Sequence, residues 1–230
     1  CIQNLPVIFA IDRAGLVGSD GETHQGIFDL SYLSAIPDIM VMAPKNKWEL
    51  SDMMKFAIKA GVPAAIRYPR GNAYVGLEEY RAKIEYGRSE PVYEEGGILL
   101  YAVGSMVRTA EAVRDNLIDA GHNCSLTNAR FVKPLDTGYI LDACAKHSII
   151  VTMEENVLSG GFGEHVTAFI DNSKAPKKPH VINIAIPDIY VEHGSVDILK
   201  EMIGIDADSI TKRILDVAGP GKKLIRGARS

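Results

Sequence analysis

Short apolar runs rich in β-branched residues alternate along this chain with stretches of helical period, and that alternation restricts the fold more than any other feature. Val7-Ile8-Phe9-Ala10-Ile11, Ile39-Met40-Val41-Met42 and Ala64-Ala65-Ile66-Arg67-Tyr68 read as strands. Between the last two, Trp48, Met53, Phe56, Ala57 and Ala60 fall mostly at helical spacings behind a candidate N-cap, Asn46. Strands that are apolar on both faces need cover on both faces. Such strand, helix, strand units therefore predict a largely parallel sheet between helical layers, joined by right-handed crossovers.

The pattern lapses between Asn72 and Glu95, a charged stretch of poor periodicity that reads as a linker. A second alternating set follows, with strands at Ile98 to Val103, near Cys124-Ser125-Leu126, at Ile149 to Thr152 and at Val181 to Ala185. Helical patterns carry Val107, Ala110, Val113 and Leu117, then Ile140-Leu141, the segment after Gly163, Val196 to Met202 and Ser209 to Val217. The expectation is α/β: two consecutive three-layer units with largely parallel sheets, residues 1–85 and 86–217. Residues 218–230, opening on Gly219-Pro220-Gly221, read as a flexible tail.

Composition narrows the function classes. With 25 Lys+Arg against 29 Asp+Glu the net charge is −4, which argues against nucleic-acid binding, since that needs basic residues massed on one face. No apolar run approaches the roughly 20 residues that cross a bilayer. Cys1, Cys124 and Cys144 are odd in number and irregular in spacing, so neither a disulfide framework nor a thiolate zinc site is expected, and a reducing cytoplasm is the default setting. The chain opens without Met and as though in mid-element, which leads us to expect a piece of a longer polypeptide or one half of a split protein.

Candidate chemistry concentrates at the carboxyl ends of the first strands, where α/β folds place ligands. The loop Asp12-Arg13-Ala14-Gly15-Leu16-Val17-Gly18-Ser19-Asp20-Gly21-Glu22-Thr23-His24-Gln25-Gly26 offers an arginine to hold an anion and a histidine near an aspartate for acid or base work. An equally weighted alternative is a long surface turn. In Arg67-Tyr68-Pro69-Arg70-Gly71, Pro69 ends the ladder and turns Arg70 toward a crevice as an anion clamp, while Arg67, on the other side of the strand, is read as a structural ion-pair partner. Glu154-Glu155-Asn156 before Ser159-Gly160-Gly161-Phe162-Gly163 has the outline of a phosphate cradle, but its carboxylates would repel an anion, so packing or an interface turn is the preferred reading. Arg130-Phe131-Val132-Lys133-Pro134-Leu135-Asp136 reads as an internal ion-pair element. Cys144 and His147 have the spacing of half a metal site with no second half, and no metal is assigned.

Taken in order, Ile11-Asp12-Arg13-Ala14-Gly15, Asp20-Gly21, Thr23-His24-Gln25-Gly26, Asp29-Leu30-Ser31-Tyr32-Leu33, Met42-Ala43-Pro44, Arg67-Tyr68-Pro69-Arg70-Gly71, the Arg130 to Asp136 block and Glu154-Glu155-Asn156 closely resemble the latter part of the 1-deoxy-D-xylulose-5-phosphate synthases. The resemblance covers residues 1 to 216. It implies a transketolase-like architecture, with residues 1–85 as part of the pyrimidine-binding domain and 86–217 as the C-terminal domain. The implied parent enzyme is a homodimeric transferase that condenses pyruvate with D-glyceraldehyde 3-phosphate, losing CO2, for isoprenoid, thiamine and pyridoxal biosynthesis. Thiamine diphosphate and Mg²⁺ are its implied cofactors. Carried over to this chain, Arg13 and Arg70 grip the acceptor's phosphate, while Asp20 and His24 meet its hydroxyl and aldehyde end.

Parts of the family pattern are missing. The Gly-Asp-Gly metal and diphosphate motif is absent, since Ser19-Asp20-Gly21 lacks the first glycine, and the Glu-Gln-His block that activates the aminopyrimidine would lie upstream of Cys1. The residues that hold the cofactor are therefore expected in an upstream region or partner subunit, and this chain alone is expected to bind no cofactor and to be inert. Two alternatives stand beside this reading: a non-catalytic dimerisation module, and a β-type subunit of another thiamine-dependent enzyme.

Overall fold

A computed structural model describes residues 1–175 and 177–221. The first part of the chain supplies β1 (Ile8–Ile11), α1 (Asp29–Ser34), β2 (Met40–Met42), α2 (Lys47–Ala60) and β3 (Ala64–Arg67). The remainder supplies β4 (Glu90–Tyr93), β5 (Gly97–Ala102), α3 (Met106–Asp119), β6 (Cys124–Asn128), β7 (Phe131–Lys133), α4 (Thr137–Lys146), β8 (His147–Val157), α5 (Phe162–Asn172), β9 (His180–Ile186), α6 (Val196–Ile203) and α7 (Ala207–Ala218). The strands form a four-stranded sheet ordered β1-β3-β2-β7 and a five-stranded sheet ordered β4-β6-β5-β8-β9. All neighbours are parallel except β2 with β7 and β4 with β6. The expected α/β class and largely parallel sheets are found.

Local chemistry explains the elements. Helix α2 starts where the Asn46 side chain accepts the Glu49 N–H at 3.0 Å and stops at Gly61, whose φ of 64° suits glycine. Along β2 the side chains alternate, as strand geometry demands. Met40 and Met42 pack with Met53 and Ala57 of α2, while Val41 joins a second core with Leu30 and Leu33 of α1. That second core also takes Leu99 and Tyr101 of β5, Ile140 of α4 and Val166 of α5. The helices α1, α4 and α5 thus lie between the two sheets and serve both. The outer face of the second sheet is closed by α3, α6 and α7 through Val107, Leu199 and Ile214.

Three expectations need correction. The linker between Asn72 and Glu95 contains β4, an edge strand hidden by its charge. Glu90 is buried there because Lys45 (Nζ to carboxylate, 2.5 Å) and Arg130 (2.7 Å) neutralise it. The strand at Ile149 to Thr152 continues as β8 to Val157, its polar end held in the interior by hydrogen bonds that pattern alone does not show. Ala218, placed in the tail, ends α7 instead; residues 222–230 of that tail lie outside the described residues.

A buried charge network closes the seam between the sheets. Lys45, Glu49, Glu90 and Arg130 are each at most 3% exposed, and Glu49 accepts from Lys45 at 3.2 Å and from the Arg130 Nε at 2.7 Å. Asn128 adds bonds to both Glu49 oxygens. Two carboxylates meet two cations, so no net charge is buried, which the desolvation cost requires. The internal ion-pair reading of the Arg130 block holds.

Candidate active site

The loop after β1 is pinned at its neck before it reaches outward. Gly15 and Gly26 exchange backbone hydrogen bonds of 2.9 and 3.0 Å, the Arg13 carbonyl accepts the Gly26 N–H at 3.0 Å, and the Ala14 N–H reaches Tyr68 beyond β3. Only glycine fits at Gly26, where an added Cβ would stand 2.4 Å from the Arg13 carbonyl oxygen and 2.5 Å from an Asp29 carboxylate oxygen. Gly15 has a φ of 71° and lies against Glu155, where a Cβ added to the glycine would stand 2.7 Å from the Glu155 Cβ, so β8 is pressed onto the neck.

Three of the four predicted site residues come together. Arg70, turned out of the ladder after Pro69, donates from Nη1 to Asp20, and the Arg13 Nε lies 3.6 Å from the same carboxylate oxygen. Asp20 ends a 3-10 turn, Gly18–Asp20, that presents it between the two guanidinium groups. Arg13 stands at a φ of 59°, pairs through Nη1 with Asp12 at 2.7 Å, and keeps a buried Nε without a hydrogen-bond partner. His24 is exposed at the end of the turn that its N–H closes on Gly21, and its Nδ1 meets the Thr23 hydroxyl at 2.9 Å. Among the described contacts none joins it to Arg13, Asp20 or Arg70. The next residue, Gln25, fastens this turn to the second unit by donating to the Val191 carbonyl at 2.5 Å.

Arg70 also forms part of the wall of a cleft of about 570 Å³ between the carboxyl edges of the two sheets, together with Lys47, Ser105, Arg108, Glu155 and Lys200. Glu155 accepts from Ser105 and, at 2.9 Å, from Lys200. These three residues are remote from one another in sequence and carry no local signature, so no motif could have grouped them.

The structural readings of the neighbouring motifs hold. Arg67 is buried and paired with Asp29 at 3.2 Å. Glu154 accepts the N–H groups of Phe162 and Gly163 at 2.8 and 2.7 Å, so the protein's own carboxylate fills the place at the start of α5 that a phosphate would take. Burial pushes its pKa up to about 8 against the pull of those two bonds. His147 has both ring nitrogens engaged, by the Ala143 carbonyl at 3.0 Å and the Ser125 hydroxyl at 3.1 Å.

Among the described residues no three His, Cys, Asp or Glu side chains gather as a metal ion would require. The carboxylates nearest the candidate site are already paired with Arg70 and Lys200. This donor set does not fit a Mg²⁺-bound diphosphate. Nor is any helix of the described residues long and apolar enough to cross a membrane.

The chain is 49% identical over 222 residues to the 1-deoxy-D-xylulose-5-phosphate synthase of Lachnoclostridium phytofermentans and 44% identical over 223 residues to that of Aquifex aeolicus. These matches cover 96% and 97% of the chain but 35% of each relative, so the chain spans about a third of their length. Among solved structures, a split-gene transketolase described as an inactive β4 tetramer superposes with a TM-score of 0.82 at 22% identity, covering 96% of this chain and 69% of that one. The transketolase of Campylobacter jejuni superposes with a TM-score of 0.72 at 21% identity, covering 91% of this chain and 31% of that one. The transketolase pyrimidine-binding domain matches residues 1–75. The transketolase C-terminal domain matches residues 87–210, more than half the sequence, and the chain belongs to that family.

Proposed function

We propose that this chain forms the acceptor-binding side of a 1-deoxy-D-xylulose-5-phosphate synthase, a transketolase-type transferase that joins pyruvate to D-glyceraldehyde 3-phosphate with loss of CO2. On this reading residues 1–85 belong to the pyrimidine-binding domain and 86–217 to the C-terminal domain, a division supported by the separate family matches on either side of it. The observation that carries the proposal is the convergence of Arg13 and Arg70 on one carboxylate, which the buried Arg13 Nε approaches without making a hydrogen bond. Two guanidinium groups held around one anion suit a phosphate dianion, which each can bind through two N–H groups. Asp20, released when phosphate takes its place, can then accept from the acceptor's hydroxyl. His24 supplies a proton to the aldehyde oxygen as it becomes an alkoxide; its exposed position implies that the turn closes over bound acceptor.

Thiamine diphosphate with Mg²⁺ would supply the carbanion chemistry in the complete enzyme, and the donor set of this chain is not suited to hold it. The test is the KM for D-glyceraldehyde 3-phosphate in the complete polypeptide: Arg13→Ala and Arg70→Ala should each raise it at least tenfold, given that a charge-assisted hydrogen bond is worth roughly 1.5–3 kcal/mol. Unchanged values in both variants would overturn the assignment.

A second reading, a non-catalytic association module, is favoured by edge strand β1, whose Phe9 is 50% exposed, and by the fold it shares with the split-gene transketolase subunit described as an inactive tetramer. It requires a stable oligomer of this chain with no affinity for sugar phosphate, which sedimentation and calorimetry together decide.

A further inference from the structure

We propose that Arg67 is a positioning residue that sets the distance between the two phosphate-holding guanidinium groups, acting on Arg13 through the backbone of Gly26. The inference rests on the acceptor-site reading above and goes beyond it, because Arg67 itself is 4% exposed and touches no ligand in that reading.

Its guanidinium gathers three segments that are distant in sequence. Nε donates to Asp29 at the start of α1 at 3.2 Å, while Nη2 donates to the Gly26 carbonyl and, at 2.7 Å, to the Glu155 carbonyl at the end of β8. Asp29 is oriented in turn by the Tyr32 hydroxyl at 3.2 Å. Gly26 is the residue whose N–H holds the Arg13 carbonyl, and Arg13 stands in a left-handed conformation at that neck. Arg70 follows Arg67 by three residues around Pro69, so the strand that leads to Arg70 also carries the side chain that holds the neck behind Arg13.

A lysine at this position reproduces the charge but not the fork. A single ammonium on a flexible stem cannot satisfy Asp29 and two carbonyls at these three directions at once, so the neck would be free to shift. Displacement of a binding group by about 1 Å costs as much as a hundredfold in rate, and the loss should fall on the phosphate contact alone.

The experiment compares two acceptors in the complete synthase polypeptide carrying Arg67→Lys: D-glyceraldehyde 3-phosphate and unphosphorylated D-glyceraldehyde. The expected result is a KM for the phosphorylated acceptor raised between about tenfold and a hundredfold, with kcat/KM for the unphosphorylated one unchanged. In an Arg13→Ala background Arg67→Lys should add nothing further, since it acts through Arg13. Equal losses on both acceptors, or additive losses in the double variant, would overturn the inference. If Arg67→Lys does not fold, Asp29→Asn keeps the shape and removes the charge partner, and a smaller loss with the same acceptor selectivity is expected. Equal losses on both acceptors for that variant count against it too. Should Arg13→Ala alone leave the acceptor preference unchanged, the acceptor-site reading fails first, and that outcome is distinct from the others.

Discussion

Asp20 and Arg70 form an ion pair across two loops, and the Arg13 Nε stands 3.6 Å from the same carboxylate oxygen. The pair places an internal anion where the proposed site needs an external one. Its side chains are 22% and 49% exposed, so the bond is screened and can be displaced. Asp20→Asn is expected to tighten binding of inorganic phosphate up to about fivefold, since such pairs are worth ~0–1 kcal/mol. Calorimetry at low ionic strength measures this, and weaker binding in the variant would show that Asp20 assists the anion rather than competing with it.

His24→Ala tests the proton-donor role separately from binding. Turnover in the complete enzyme should fall by roughly a hundredfold or more, as the loss of a general acid implies, while the affinity for pyruvate is retained. Single-turnover kinetics give both quantities, and full turnover in the variant would remove His24 from the chemistry.

The network of Lys45, Glu49, Glu90 and Arg130 should behave as one unit. Arg130→Met leaves two buried carboxylates facing a single ammonium, and a loss of about 3–5 kcal/mol in urea unfolding is expected. Replacing Glu49 with Gln in that background removes the excess charge and should restore part of the loss. Additive losses would mean that the four groups are energetically independent.

Glu154 predicts a pH dependence whose sign follows from its burial. Its folded pKa is pushed up to about 8 from an ordinary 4.5, so between those values the folded state holds a proton that the unfolded chain has released. The stabilisation this gives is complete below 4.5 and is lost as pH rises through 8, with a slope of at most ~1.4 kcal/mol per pH unit. The difference in unfolding free energy between the native chain and Glu154→Gln, followed from pH 4.5 to 8.5, reports it. A flat difference would mean the carboxylate is ionised throughout, held by its two N–H donors.

The fold was legible wherever apolar period and burial coincide, as in β2, α2 and α3. It was illegible where buried residues are charged. Glu90 looks like linker and the expected strand stops short of Glu154, because a sequence shows a carboxylate but not the arginine, lysine or helix start that makes its burial tolerable. Arg67 and Arg130 were readable as internal partners, yet their partners were not, since Asp29, Glu49 and Glu155 come from segments that only the folded chain brings near. The proposed site residues were named through family motifs, and the nearness of Arg13, Asp20 and Arg70 is what the structure adds. The Asp20 to Arg70 contact and the cleft lined by Ser105 and Lys200 were not, because nothing local encodes them.

Strand β7 joins the first sheet although it is made long after the rest of that sheet. During synthesis β1, β2 and β3 leave the ribosome with the outer edge of β2 unpaired, and it stays open until Lys133 has emerged. Until then Val41 and Met42 present a bare strand edge to other nascent chains, a hazard that closes only when the later segment folds back. Any rearrangement of the gene that parts residue 42 from residue 131, whether by fission or by exchange with a relative, must therefore supply a substitute for that strand or leave the edge open.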